Sequence, residues 1–390
     1  MPTRTLTDSS AGDLSTDLIA ASSPAFEAVV PEWRALWVQA PDREPYSHPG
    51  WVAAYWAAFE PAAEPLVLTV RLRGRLVAVL PLIRESTVVD GMPVRLLRAP
   101  MNPHSFRVQL LTASDVTMRT PCAICDHLAC MGGWDLLSIG RFPRAGAADR
   151  LGHCLRCHGF PAILHSHSPT RFIAIPDAAS GGGDEPWMQD VDGDLKKKVR
   201  RAWRQISQDF RSEPELETID AADPEALTRF YEIEASGWKG REGTAIKCAP
   251  ETLGFYNAVA RAFAADRALR LHVLRVQGVA VAGAFSVVTA HRLFVLKWSY
   301  DETYAKYRPG QLLSREMLRD CSQRGLREMD LGEDAAYKRE WTPRTEDHEY
   351  LYVFNRTLYG RLLYGYREWM RPALGRLRRR WYRDADASQP

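Results

Sequence analysis

Two stretches of this chain alternate apolar and polar residues about a central glycine: LVLTVRLRGRLVAVLPLI from Leu66, and LHVLRVQGVAVAGAFSVV from Leu271. A period of two around a glycine turn predicts a β-hairpin in each, because successive strand side chains face opposite sides. The letters repeat too: Arg71-x-x-Gly74-x-x-Val77-Ala78 returns as Arg275-x-x-Gly278-x-x-Val281-Ala282. An aromatic-rich helical segment precedes each hairpin, Trp51 to Phe59 and Phe255 to Phe263. A helix and a strand follow each, ending in Trp134-Asp135-Leu136 and Met329-Asp330-Leu331. The ordered series predicts an α/β (α+β) chain with two copies of one unit, each a mixed central sheet flanked by helices. The flexible run Ser180-Gly181-Gly182-Gly183-Asp184 opens a linker. The expected division is a disordered tail over 1–24, an N-terminal domain over 25–179, a linker over 180–194, a second domain over 195–370 and a basic tail over 371–390.

The second copy carries the chemistry-bearing residues. It opens with a basic helix, Asp194 to Phe210, then a strand, Leu216 to Ile219. A helix capped by Asp223 with Pro224 in its first turn follows, reaching Glu234 and Trp238-Lys239-Gly240. Further on, a strand through Lys297 and Trp298 leads to the turn Tyr307-Arg308-Pro309-Gly310-Gln311. That turn hands into a helix with Leu312, Leu313, Met317 and Leu318 on one face. Helix-start N–H groups beside an arginine favour an anionic group. The next strand (Arg327 to Leu331) ends at Asp330, Gly332, Glu333 and Asp334, followed by Tyr337 and Lys338. Acids, a phenol and an amine at a strand end beside an anion cradle point to group transfer from a phosphate-bearing donor. The first copy has Met101-Asn102-Pro103-His104-Ser105-Phe106 in place of the Arg-Pro-Gly-Gln turn, and no acid pair or Tyr-Lys after Asp135. It reads as a scaffold or substrate-side wall.

Composition narrows the class without naming a reaction. Of 390 residues, 46% are apolar and 25% charged, as in a folded globular protein, and the net charge is +3. No apolar run approaches the about 20 residues needed to cross a bilayer, and the N-terminus has no signal-peptide pattern, so a cytoplasmic protein is expected. Basic residues concentrate at Lys196 to Arg204 and at Arg371 to Arg383. The first reads as a solvated helix face, and nucleic acid is not an expected partner. Cys122-x-x-Cys125 and Cys154-x-x-Cys157 have zinc-like spacing, near His127, His153 and His158. Both pairs fall in amphipathic helical patterns, which reads as core packing, and no metal is expected. A Gly-x-Ser-x-Gly elbow, a Walker loop and a His-Glu-x-x-His helix are all absent from the sequence.

The element order over 195–355 is similar to the GNAT acyltransferase fold. Tyr307-Arg308-Pro309-Gly310, Asp330-Leu331-Gly332, Tyr337-Lys338-Arg339-Glu340-Trp341 and Trp238-Lys239-Gly240 resemble the CelD-type GNAT branch linked with exopolysaccharide and cellulose biosynthesis. That bacterial branch is related to the Fem transferases, which carry two GNAT units in one chain. The resemblance implies an acyl-CoA (acetyl-CoA) co-substrate, held by Lys297, Trp298, Tyr307, Arg308, Gly310 and Gln311. It implies a small-molecule amine or amino-sugar acceptor near Glu234, Trp238 and Lys239. Glu333 or Asp334, with Glu234 as a more distant option, would accept the amine proton, Tyr337 would protonate the leaving thiolate, and Lys338 would hold an anion or pair with Asp330. The usual donor loop, Gln/Arg-x-x-Gly-x-Gly/Ala, is absent from Tyr304 to Leu313. Fem relatives also depart from it and use aminoacyl-tRNA, which leaves a Fem-like transferase as one alternative. The other is a non-catalytic accessory protein of a polysaccharide synthase. It would meet the synthase or the inner membrane face through the helix carrying Leu358, Leu362, Tyr366, Trp369 and Met370 and the basic tail.

Overall fold

The computed structural model describes residues 14–116, 119–176 and 185–370. The first copy runs β1 (Leu14–Ala20), α1 (Pro24–Gln39), α2 (Pro49–Phe59), β2 (Glu64–Leu72), β3 (Arg75–Val89), β4 (Met92–Arg98) and β5 (Leu111–Thr112), then α3 (Thr120–Cys130), β6 (Leu136–Pro143), α4 (Ala147–Cys157) and β7 (Ala162–Ala174). The second runs α5 (Gly193–Phe210), β8 (Glu215–Ile219), α6 (Pro224–Ala235), α7 (Trp238–Arg241), α8 (Pro250–Ala265), β9 (Leu269–Val276), β10 (Val279–Thr289) and β11 (Arg292–Tyr300). It closes with α9 (Pro309–Gln323), β12 (Glu328–Glu333), α10 (Ala336–Arg339), β13 (Thr345–Phe354) and α11 (Leu358–Gly365). Among the described residues no helix is long and apolar enough to cross a membrane.

The chain forms two compact units, and neither is contiguous. Unit one takes residues up to Ala40, Ala62–His167 and Glu349 onward; unit two takes Pro41–Pro61 and Ser168–His348. Unit one carries the strand order β1-β2-β3-β4-β6-β13, and unit two carries β7-β12-β11-β10-β9-β8. Both hairpins form where alternation predicts them. Each turns on two residues of positive φ, Arg73-Gly74 and Gln277-Gly278, the backbone of a two-residue hairpin turn. The repeated Arg-x-x-Gly is a turn lock. Arg71 donates to the Gly74 carbonyl at 2.8 Å and to Glu32, while Arg275 donates to the Gly278 carbonyl at 2.9 Å and to Glu217.

The structure departs from the sequence-based division in three places. Leu14–Ala20, expected in a disordered tail, pairs antiparallel with β2 from Leu14↔Leu72 to Ala20↔Leu66. The pairing satisfies backbone groups of an edge strand and buries little side chain, so composition carries no sign of it. The expected linker is partly core: Met188 and Val191 are 2% and 4% exposed, packed with α5 and α9. Residues 177–184, like the basic tail 371–390, lie outside the described residues. The aromatic helix α2 belongs to unit two, where Trp51 meets Phe255 and Phe263 of α8 edge-on at 5.1 and 6.3 Å. His48, which caps α2, bonds Asp266 at 2.8 Å. The two aromatic segments that read as copies of each other therefore pack together in one core, because each needs an apolar partner.

In unit two, α5 and α9 cover one face of the sheet. Asp192 caps α5 through the N–H groups of Asp194 and Leu195, and Leu195, Val199, Ala202 and Ile206 turn inward at helical spacing. The basic side chains are thereby left outside, where Lys197 meets Asp194, Lys198 meets Glu340 and Arg200 meets Glu185. On α9, Leu312, Leu313, Met317 and Leu318 are all buried, as their periodicity predicts.

Candidate active site

The parting of β11 and β12 defines the site. They pair in parallel at only three positions, Arg292↔Glu328, Leu293↔Met329 and Phe294↔Asp330. Beyond these, β11 follows β10, with Lys297↔Phe285 and Trp298↔Ala284, while β12 follows β7, with Gly332↔Arg171 and Glu333↔Thr170. Each strand stays with its other neighbour, so the facing edges separate and leave backbone groups of β11 without a strand partner among the described residues. The chain then re-enters at α9. Its N-cap, Arg308, sits in the left-handed region at φ 54°, and its exposed guanidinium makes no ion pair among the described residues.

The anion cradle is narrower than the sequence implies. Pro309 has no N–H, and the N–H groups of Gln311 and Leu312 both donate to the Arg308 carbonyl, at 2.9 and 3.2 Å. Gly310 retains the first-turn N–H not spent within the helix, and Gln311 Oε1 is buried without a hydrogen-bond partner among the described residues. Tyr307, expected against the donor, points inward instead. It is 4% exposed, and its hydroxyl donates to Asp209 at 2.7 Å. Its ring packs edge-on against Phe210, so it anchors the turn to α5.

Past the end of β12, Lys338 is buried. Its Nζ donates to the Glu333 carbonyl at 2.7 Å and lies 5.1 Å from the centre of the Trp298 ring. Trp298 and Tyr337 meet edge-on at 6.1 Å. Tyr337 is 56% exposed, yet desolvation pushes its phenol up to about 12. That lies well above an ordinary thiol at about 8.5, so the phenol holds its proton more tightly than a thiol does. Asp330 accepts from the Gly332 N–H at 2.7 Å and lies 3.6 Å from Arg292.

Glu333 is exposed, but Asp334 is clasped. Arg171 holds one of its oxygens in a short hydrogen bond and Arg339 the other at 3.0 Å. Arg171 continues to the Thr342 carbonyl at 2.8 Å. The two guanidinium groups hold the Asp334 carboxyl down to about 2, so it is a poor proton acceptor and serves as a tie between β7 and the loop after β12. A carboxyl lowered in the folded state adds stability above its ordinary value near 3.8 and loses it as the pH falls towards 2. Melting temperature is expected to fall through that window, and Asp334→Asn to flatten the fall. An equal slope in both proteins would remove the clasp from the account.

The acceptor-side residues converge around a buried carboxylate. Glu234 on α6 is 2% exposed and accepts from Lys239 Nζ at 3.0 Å and from the Ile246 N–H at 2.7 Å. Gly240 is required there, because a β-carbon would lie 1.9 Å from the Ala235 carbonyl oxygen. Trp238 stands 52% exposed beside this pair, with its backbone N–H donating to the Glu302 carboxylate at 3.0 Å. Lys297 faces the same cluster, and its side chain makes no hydrogen bond or ion pair among the described residues. Burial, with the Lys239 charge, lowers its pKa, while Glu234 and Glu333 oppose the shift. The sequence placed Lys297 beside the donor and did not mark it as a titrating group. Its identity as a lysine on a strand next to Trp298 was the only available signal.

Residues 193–339 match the protein family described as the acetyltransferase (GNAT) domain. Over these residues the chain carries a GNAT-type domain. A crystal structure of FemX superposes with a TM-score of 0.58 at 12% identity, covering 86% of this chain and 98% of that one. The C-terminal domain of a proposed lysylphosphatidylglycerol synthetase from Agrobacterium fabrum gives 0.52 at 13% identity, over 86% and 94%. A conserved protein of unknown function from Bacteroides thetaiotaomicron gives 0.52 at 13%, over 84% and 97%. At these identities the likeness is one of fold. No curated protein sequence matches the chain.

Proposed function

We propose that unit two is an N-acyltransferase that moves an acyl group from acyl-CoA to the amine of a small molecule, with an amino sugar of envelope or exopolysaccharide synthesis as the favoured acceptor. The observation that carries the reading is the parting of β11 from β12 directly before Arg308 and α9. The open β11 edge offers backbone groups to the donor's amide-bearing arm, Gln311 Oε1 offers an unspent acceptor, and Arg308 with the Gly310 N–H offers charge to a pyrophosphate. Lys297, whose ammonium form burial disfavours, takes a proton from the acceptor ammonium when it is itself deprotonated. The freed amine attacks the thioester carbon, the C–N bond forms as the C–S bond breaks, and the nitrogen's remaining extra proton passes to the thiolate. Trp238 and Lys239 face the acceptor, and Tyr337 hydrogen-bonds the departing sulfur.

Acetyl-CoA or a longer acyl-CoA is expected to raise the melting temperature, with stabilisation of about 2.7 kcal/mol at a hundredfold excess over Kd. Arg308→Ala should lose most of that shift. No shift with any acyl-CoA would sink the CoA reading. One observation favours a second donor: with Pro309 in place and two N–H groups spent on Arg308, the cradle is thin for a pyrophosphate. An aminoacyl-tRNA donor would instead show salt-sensitive retention of charged tRNA. The exposed Leu358 (77%), Leu362 (61%) and Trp369 (65%) favour an added peripheral contact of the C-terminal region with a membrane or synthase.

A further inference from the structure

Two sulfurs and a nitrogen meet in unit one, with a third sulfur, that of Cys122, beside one of them, well away in sequence from the residues of the proposed reaction. On α3, Cys122 and Cys125 are three apart and share a helix face. On α4, Cys154 is followed four residues later by His158, the residue that ends the helix. Cys125, Cys154 and His158 each offer a ligand atom within 4.8 Å of the other two. Cys154 Sγ lies 3.3 Å from Cys122 Sγ and 3.6 Å from His158 Nδ1. A tetrahedral zinc with Zn–S bonds of about 2.3 Å sets its ligand atoms about 3.5–3.8 Å apart, so the spacings around Cys154 are close to those of a ligand shell, and Cys122, outside the mutually close three, would swing in to complete it. Core packing, the reading that the helical pattern favours, does not describe this group. Cys122 is exposed and Cys154 half-buried, while Cys125 is buried.

We propose that Cys122, Cys125, Cys154 and His158 form a structural zinc site that staples α3 to α4. Three thiols and a neutral imidazole meeting one zinc(II) ion release three protons and give a closed centre of three sulfurs and one nitrogen, with a single net negative charge. Nδ1 of His158 is the ligating nitrogen. It also lies 2.8 Å from the Cys154 carbonyl, and ligation by Nδ1 requires the neutral ring's single proton to sit on Nε2. Nε2 then carries the remaining hydrogen, 3.5 Å from Asp126, the outer carboxylate that commonly orients a ligating histidine. Arg356 reaches the carbonyls of His158 and Ala129 at 3.4 and 3.5 Å, tying the two helix ends beside the site. With four protein ligands there is no open position, so the ion would hold structure and take no part in acyl transfer.

The test uses the full chain, purified without a metal-affinity tag from cells supplied with zinc. Mass-spectrometric metal analysis should find about one zinc per chain after dialysis. Cobalt(II) exchanged into the site should give the intense visible absorption of tetrahedral thiolate coordination. Cys125→Ser and Cys154→Ser should lose the metal, while Cys157→Ser, whose sulfur lies 3.7 Å from His153 outside this set, should keep it. Should the serine variants fail to fold, X-ray absorption on the wild type decides: a shell of three sulfurs and one nitrogen supports the site and any other shell overturns it. Wild type without bound zinc, full zinc retention in both serine variants, or a Cys122–Cys154 disulfide in protein purified without oxygen would each overturn it.

Discussion

Lys297→Met is expected to lower the rate of acyl transfer at least about 100-fold, the lower end of what a general base contributes, while the melting temperature stays level or rises. Burial and the Lys239 charge disfavour the Lys297 ammonium, so its pKa is below the ordinary 10.5. The wild-type rate should therefore climb with pH through that lowered value, and Met should remove this limb. The stability sign runs the other way from a loss. Between its folded pKa and 10.5 the unfolded chain binds more protons, so the folded protein is penalised for charging Lys297, and stability rises with pH through that window. Removing the amine removes the penalty. Lys297→Arg is the control, because a guanidinium keeps its proton and should lose the rate as fully as Met. A rate within threefold of wild type in Lys297→Met would transfer the proton-accepting role to Glu333.

Glu234→Ala is expected to destabilise the protein by about 3 kcal/mol, the lower end for breaking a buried ion pair, because Lys239 retains a route to water. The substitution strands the Ile246 N–H, 2.7 Å from the lost oxygen, and leaves Lys239 without its 3.0 Å partner. Glu234→Gln keeps an acceptor for Ile246 and should cost much less, as read by denaturant midpoints. It also removes a negative charge that raises Lys297's pKa, so the rising limb of the rate should move to lower pH. A limb that stays in place in Glu234→Gln would mean that Lys297 does not carry the titration. A stability loss as large in Gln as in Ala would place the carboxylate's worth in charge rather than in the Ile246 bond.

The chemistry-bearing segment was legible in the sequence as far as its local order went. The turn into α9, the strand through Lys297, and the acids and Tyr-Lys after β12 all lie where they were read. Their individual roles were not legible. Asp334 and Glu333 are adjacent and look equivalent, yet Asp334 is held by Arg171, 163 positions away, while Glu333 is the more exposed of the two. Tyr307 belongs to the motif and still faces Asp209 in the core. Spacing shows which groups are near along the chain; it does not show which charges neutralise them.

The sequence by itself determined the features whose energetics are local. These are the two hairpins with their Arg-x-x-Gly turn locks, the helices capped by Asp192 and Asp223, and the buried stripe of α9. Each depends on dihedral preferences and hydrogen bonds within a few residues, or on a periodicity that a single element presents alone. The tertiary structure alone decided that α2 joins unit two, that Leu14–Ala20 becomes a strand, that α3 and α4 bring Cys125, Cys154 and His158 together, and that Lys297 is the amine whose charged form burial disfavours. Those outcomes turn on which faces meet across the fold. Desolvation and charge interactions depend on distance through space, which a linear order of residues does not contain.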